Sequence, residues 1–178
     1  VKDLVQRLLG CLTEGGRVGA AAEGGEDEQS QLRLTCGCAL LKVARACQND
    51  SDFIGALGWH QLGLILHDES NDVRSRFARK LHSEIMRPFL SEKRDTKQGA
   101  PASYLATRRF GLPPAYVSLF ALAACDPVKE NVKLAKWYIM QTIRMWRSTT
   151  EKAKGLNQNM GMCLPEVQLP WLIHLLAH

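Results

Sequence analysis

Leu62-Gly63-Leu64-Ile65-Leu66-His67-Asp68-Glu69 runs into Asp72-Val73-Arg74, and the same phrase returns further along the chain. Leu119-Phe120-Ala121-Leu122-Ala123-Ala124-Cys125-Asp126 runs into Pro127-Val128-Lys129, and Trp171-Leu172-Ile173-His174-Leu175-Leu176-Ala177-His178 reaches the same point once more. Each is an apolar helical stretch that ends at, or just before, an acidic turn. After the first two, a valine and a basic residue open a new helix. Self-similarity of this kind marks a helical repeat. Val73 and Val128 stand 55 positions apart. Removing the polar stretch of about 20 residues between them leaves a period of roughly 35–40, in the range of HEAT-type repeats.

Working outward, residues 1–14 read as a helix with Leu4, Val5, Leu8, Leu9 and Leu12 on one face, stopped by Gly15 and Gly16. Residues 15–27 are a Gly-, Ala- and acid-rich loop. Helical repeats fill 28–87. A helix over 28–47 carries Leu34, Cys38, Leu41, Ala44 and Ala46, and a helix over 53–67 is apolar nearly all round. A third, over 71–87, places Val73, Phe77, Leu81 and Ile85 at spacings of four before Pro88 ends it. Residues 88–112, polar and breaker-rich, read as a mobile insertion loop. Helical repeats resume over 113–178. Pro113 and Pro114 open a helix to about 125. Asp126 caps the next, with Pro127 at its first position, running to about 154, and Leu164-Pro165 starts the last. No period-two strand pattern survives. The expected fold is all-α, an α-solenoid of HEAT-type antiparallel helix pairs; an irregular helical bundle is the alternative.

The totals narrow the function. The chain has 178 residues, with 23 Lys+Arg against 18 Asp+Glu, a formal charge of +5 and a pI near 9.0. That balance suits an acidic protein, a polyanion or nucleic acid, or is simply a solvated surface. No apolar run approaches the roughly 18 residues of a membrane span. The opening Val1-Lys2-Asp3-Leu4 reads as the middle of a helix rather than a signal peptide, as in a fragment of something longer. The six cysteines (Cys11, Cys36, Cys38, Cys47, Cys125, Cys163) have neither zinc-site nor disulfide-framework spacing and read as small hydrophobes in a reducing compartment.

At this point the residues carry a resemblance. Leu32-Arg33-Leu34-Thr35-Cys36-Gly37-Cys38-Ala39-Leu40-Leu41-Lys42-Val43-Ala44 is similar to a stretch of the cohesin-associated sister-chromatid cohesion factors, the family named for precocious dissociation of sisters. Asn71-Asp72-Val73-Arg74 with Phe77-Ala78-Arg79-Lys80-Leu81-His82 resembles its next helix. Phe120-Ala121-Leu122 with Asp126-Pro127-Val128-Lys129-Glu130 matches again, as do Leu164-Pro165-Glu166, Pro170 and Ile173 to His178. The matches keep their order over 32–178. Residues 91–111 look like an insertion, and 1–31 match loosely.

The resemblance implies a central piece of a long, hook-shaped HEAT-repeat protein of the nucleus, chromatin-associated and without enzymatic activity. Such proteins bind the kleisin subunit of the cohesin ring. With the releasing factor and its antagonists they regulate loading, release and acetylation of cohesin on chromatin. Some bind inositol hexakisphosphate on a basic surface; no membrane is implied. Kleisin-contacting positions are not carried by a short motif and do not transfer residue by residue.

No constellation for catalysis stands out. His60 and His67 share a helix face without an acidic or Cys partner in register, and His174 and His178 lack an HExxH frame. The Gly-rich stretch 15–25 has no P-loop pattern. No catalytic, cofactor-binding or metal residue is therefore assigned. A surface is the better lead. At about 100° per residue, Val128, Val132, Ala135, Ile139, Ile143 and Trp146 form one core stripe, and Trp137 falls opposite, flanked by Lys133, Gln141 and Arg144. Trp137 either packs on the adjacent repeat or anchors a bound peptide. Arg74 and Arg79, with Lys129, Lys133, Lys136, Arg144 and Arg147, make either a basic strip for an acidic peptide or inositol polyphosphate, or a plain solvated face. The predicted protein-binding set is Arg74, Arg79, Lys129, Lys133, Lys136, Trp137 and Arg144.

Overall fold

The chain is described from a computed structural model covering residues 2–17, 24–46, 55–97, 112 and 114–153, with side chains throughout except at 55–57, 88–97, 114 and 149–153. Its α-helices are α1 (Lys2–Thr13), α2 (Glu26–Ala46), α3 (Gly55–Leu64), α4 (Asn71–Lys97) and α5 (Lys129–Ala153). Two 3-10 helices join them, Ile65–His67 after α3 and Pro114–Cys125 before α5. Among the described residues there is no strand. The fold is all-α, and its helices pair in order as an α-solenoid does. α1, α3 and the 114–125 helix make one layer; α2, α4 and α5 make the other.

Local chemistry sets the ends. Gly15 and Gly16 adopt positive φ (65° and 84°), the Gly16 amide donates to Cys11 O (2.9 Å), and the Gly15 amide to Leu12 O (3.1 Å). That crossed pair is the Schellman ending of α1, open to residues without a Cβ. α2 begins with Glu26, Asp27 and Glu28 and ends with Arg45, both favourable to the helix dipole. Midway along α2, Gly37 lets two elements in. A Cβ there would meet Ile65 Cδ1 and sit 3.1 Å from Phe77 Cε2.

The core lies between the layers. Val5, Leu40, Leu41, Leu62, Leu66, Val73, Phe77, Leu81, Leu119 and Phe120 are all buried. Each such side chain contributes about 1.5–3 kcal/mol relative to exposure. In the 114–125 helix, side chains three apart line up, so Tyr116 and Leu119 make one buried ridge and Val117, Phe120 and Ala123 another. An apolar segment enclosed on several sides tolerates that tighter winding.

Three boundaries differ from the sequence expectation. Pro88 does not end α4, which continues to Lys97. A proline removes one backbone hydrogen bond, but the residues beyond it, Ser91-Glu92-Lys93-Arg94, include good helix formers, and the helix resumes. The expected insertion loop over 88–112 is thus helical for its first ten residues; 98–111 lie outside the described residues. Pro127 is not the first residue of α5, which starts at Lys129 after a 126–128 turn. The Val128 carbonyl accepts the first helical bond, from Asn131 N–H at 3.0 Å. Finally, the apolar helix expected over 53–67 tightens to 3-10 at Ile65. The segments expected as a turn over 49–52 and a last helix from 164 lie outside the described residues.

Candidate protein-interaction surface

Both acidic turns are built alike. The Asp68 carboxylate accepts the Ser70 amide at 2.9 Å, and the Asp126 carboxylate accepts the Val128 amide at 2.7 Å. Each Asp is gripped at both oxygens by an arginine from the preceding long helix. Arg33 of α2 donates to Asp68 at 2.6 and 2.9 Å; Arg74 of α4 donates to Asp126 at 2.8 and 3.3 Å. Each arginine also reaches back to the turn before its own helix, Arg33 to Gly15 O (2.9 Å) and Arg74 to Asp68 O (2.7 Å) and Glu69 O (3.0 Å). Burial opposes the charge on Asp126, but Arg74, the Val128 amide and Asn131 prevail and hold its carboxyl below the usual range. The hydrogen bond to Asp68 raises the Arg33 pKa further.

This ladder corrects one predicted site residue. Arg74 is only 7% exposed and is committed to Asp126 and two carbonyls. It holds repeats together and is not part of an open surface. The other six predicted residues, Arg79, Lys129, Lys133, Lys136, Trp137 and Arg144, are exposed. Among the described residues none of the five cations among them forms a salt bridge.

α5 sets their geometry. Its inner face buries Ala135, Tyr138, Thr142 and Trp146, with Val132, Ile139 and Ile143 half-buried at its edge. The sequence stripe was therefore right in direction but centred too far to one side, because Tyr138 faces α4. Trp137 points away, 54% exposed. Helical geometry puts Lys133 and Arg144 within about 40° of it, and Lys129 and Lys136 about 80–100° round. The indole is not free-standing. It leans on His82 of α4 (centroids 5.6 Å, tilted) and on Tyr138 (5.4 Å, edge-on), and His82 stacks on Tyr138 at 4.2 Å. The two readings of Trp137 thus meet, since one side packs on the neighbouring repeat and the other faces solvent. Burial lowers the His82 pKa, against a hydrogen bond to Gln141 that raises it, which favours the neutral ring at neutral pH.

Sequence reasoning missed Leu134 (40% exposed) and Met140 (51%), which extend the apolar surface to either side of Trp137. It also missed Ala78 and Ala123 beside the α4–α5 seam. With Ser75, Leu134, Leu66 and Tyr138 they line a crevice of about 10 Å³ that also takes in the Arg74–Asp126 pair and Asn131. The signal was available, since Leu134 and Met140 lie off the core stripe. A second omission is Glu84, buried at 1%, with Lys80 (2.6 Å), Arg45 (2.5 Å) and Arg87 (3.6 Å) around it. Burial opposes its charge, but those cations keep it ionised below its ordinary range. The i,i+4 and i,i+3 spacings from Glu84 announce two of the three partners. Among the described residues no group of three His, Cys, Asp or Glu side chains converges as metal ligands do.

Comparison with known proteins adds a family. The family model described as "Sister chromatid cohesion protein PDS5 protein" matches residues 1–178. The chain is 30% identical over 170 residues to the sister chromatid cohesion protein PDS5 homolog A-B of Xenopus laevis, covering 95% of this chain and 11% of that protein. It is 30% identical over 170 residues to homolog A of Gallus gallus, covering 95% and 10%. It is 31% identical over 171 residues to homolog B of Homo sapiens, again covering 95% and 10%. The chain spans about a tenth of the length of the curated relatives it matches.

Proposed function

The chain belongs to the sister chromatid cohesion protein PDS5 family, and from that premise we propose that it is a non-enzymatic segment of a solenoid scaffold that regulates cohesion in the nucleus, on chromatin. Its role is to hold a partner segment against the face formed by α4 and α5. In this reading the partner is the kleisin subunit of cohesin, with the releasing factor and its antagonists acting on the same scaffold. The family match across the whole chain carries the reading. The exposed indole of Trp137, amid cations that form no salt bridge among the described residues, supports its location.

Capture of the kleisin subunit by the full chain tests it. The Trp137→Ala/Lys133→Glu variant should retain its circular dichroism spectrum and lose most of the captured kleisin. Undiminished capture removes the site while leaving the family membership intact.

A second reading has its own observation. Arg79, Lys129, Lys133, Lys136 and Arg144 are exposed and without salt bridges among the described residues. Such a strip suits a polyanion, inositol hexakisphosphate or nucleic acid, through charge-assisted hydrogen bonds. Calorimetric titration with inositol hexakisphosphate at two salt concentrations tests this reading. Heat at low salt that fades at high salt supports it, and no heat at low salt removes it.

A further inference from the structure

The α4–α5 face combines two recognition chemistries at one place. The first is mostly apolar. Ser75, Ala78, Ala123, Leu134, Tyr138 and Leu66 line a crevice of about 10 Å³ at the seam, with the Arg74–Asp126 pair and Asn131 also in its lining. Trp137 stands next to it, its orientation set by ring contacts to His82 and Tyr138. An aromatic held from two sides loses less freedom on binding than a free one. The second is electrostatic. Lys133 and Arg144 flank Trp137 on its own helix, Arg79 is exposed on α4, and none is paired among the described residues. α5 carries two acids, Glu130 in its first turn and Glu151 in its last.

We propose that this face binds an acidic linear peptide that places one large apolar side chain against Trp137, over the neighbouring Ala78–Leu134 crevice, and its flanking carboxylates on Lys133, Arg144 and Arg79. This rests on the scaffold reading above and specifies the chemistry of the docked segment. Two features favour a peptide over nucleic acid. Single-strand binding uses successive stacking platforms along a cationic track, whereas Trp137 is the single exposed aromatic among the described residues of this face. Its neighbours Leu134, Met140 and Ala78 suit an aliphatic or phenyl side chain rather than a base.

The test uses the full chain and fluorescein-labelled dodecapeptides of Glu and Asp, one with a central Phe and one with Ala there, read by anisotropy. The Phe peptide should bind about tenfold more tightly than the Ala peptide. Trp137→Ala and Leu134→Ala should each abolish that difference while leaving the weaker, salt-sensitive affinity common to both peptides. Lys133→Glu/Arg144→Glu should weaken both peptides about tenfold and flatten their salt dependence. Equal binding of the two peptides by the wild-type chain overturns the proposal, and so does no binding of either. Tighter binding of an oligothymidylate that Trp137→Ala weakens also overturns it, in favour of nucleic acid. Kleisin capture lost in Trp137→Ala, alongside equal binding of both peptides, would overturn this chemistry and leave the scaffold reading standing.

Discussion

Trp137 and Arg74 stand on neighbouring helices in opposite settings, the first 54% exposed and the second 7%. Trp137 was placed correctly because helix periodicity alone sets its angle from the buried Ala135 and Trp146. Arg74 was misplaced because its partner, Asp126, is 52 residues away, and no local pattern announces the pair. Their variants should differ accordingly. Arg74→Ala leaves the Asp126 carboxylate buried beside an empty space and should cost about 3–5 kcal/mol in urea unfolding. Trp137→Ala removes a half-exposed ring and should stay within about 1 kcal/mol. A large loss for Trp137→Ala would mean that its packing, not its exposure, dominates. Acid acts on the same charges. The folded pKa values of Glu84 and Asp126 lie below their ordinary 4.5 and 3.8, so their contribution is complete above that range and is lost as pH falls through it. His82 is also depressed, below 6.5, so the neutral ring favours folding and protonation opposes it. The urea midpoint should therefore be flat above neutrality, decline gently below pH 6.5, and fall steeply below 4.5. His82→Phe, which keeps a ring on Tyr138, should remove the gentle decline alone.

At the scale of elements, the repeated phrases exposed the helices but not how they are wound. The two apolar phrases among the described residues contain 3-10 structure, at Ile65–His67 and at Pro114–Cys125. Hydrophobicity on all sides carries no period with which to distinguish i+3 from i+4 winding. Pro88 misled for the opposite reason. It is a strong local signal, and the helix overrides it across a further nine residues. Gly37 is a position whose sequence reading was neutral and whose structural role is large. It sits where α2 meets Ile65 and Phe77, and a methyl group there collides with the Ile65 side chain. Its helix propensity argues for Ala by up to about 1 kcal/mol; the collision argues against by roughly 1–3 kcal/mol. The collision should win, because both neighbours are themselves buried, Ile65 at 4% and Phe77 at 0% exposure. Gly37→Ala should thus lower the thermal midpoint. A rise instead would show that Ile65 has room to change rotamer.

Across the whole molecule, the two acidic turns are links in one chain of polar contacts. It runs from Gly15 O through Arg33, Asp68, Arg74 and Asp126 to Asn131, whose amide also donates to Asn71 Oδ1 at 2.8 Å. The repeat register written in the sequence as Asp68 and Asp126 is therefore the register of the ladder, and it crosses all three long helices. A solenoid is held by nearest-neighbour interfaces, so its repeats separate energetically unless something links consecutive interfaces. Here Asp68 is that link: its side chain belongs to Arg33, and its carbonyl to Arg74. Pulling one arginine away frees the turn that positions the other. Independent rungs would make the losses from Arg33→Ala and Arg74→Ala additive to within roughly 0.5 kcal/mol, whereas residues sharing a network couple by about 0.5–3 kcal/mol. The double variant should accordingly lose less than the sum of the singles, since the first substitution already loosens the Asp68 turn. Equilibrium urea unfolding of the four proteins measures the coupling. A coupling indistinguishable from zero would mean that Asp68 stays in place without Arg33, held by its own bond to the Ser70 amide at 2.9 Å, and that each interface is stabilised on its own.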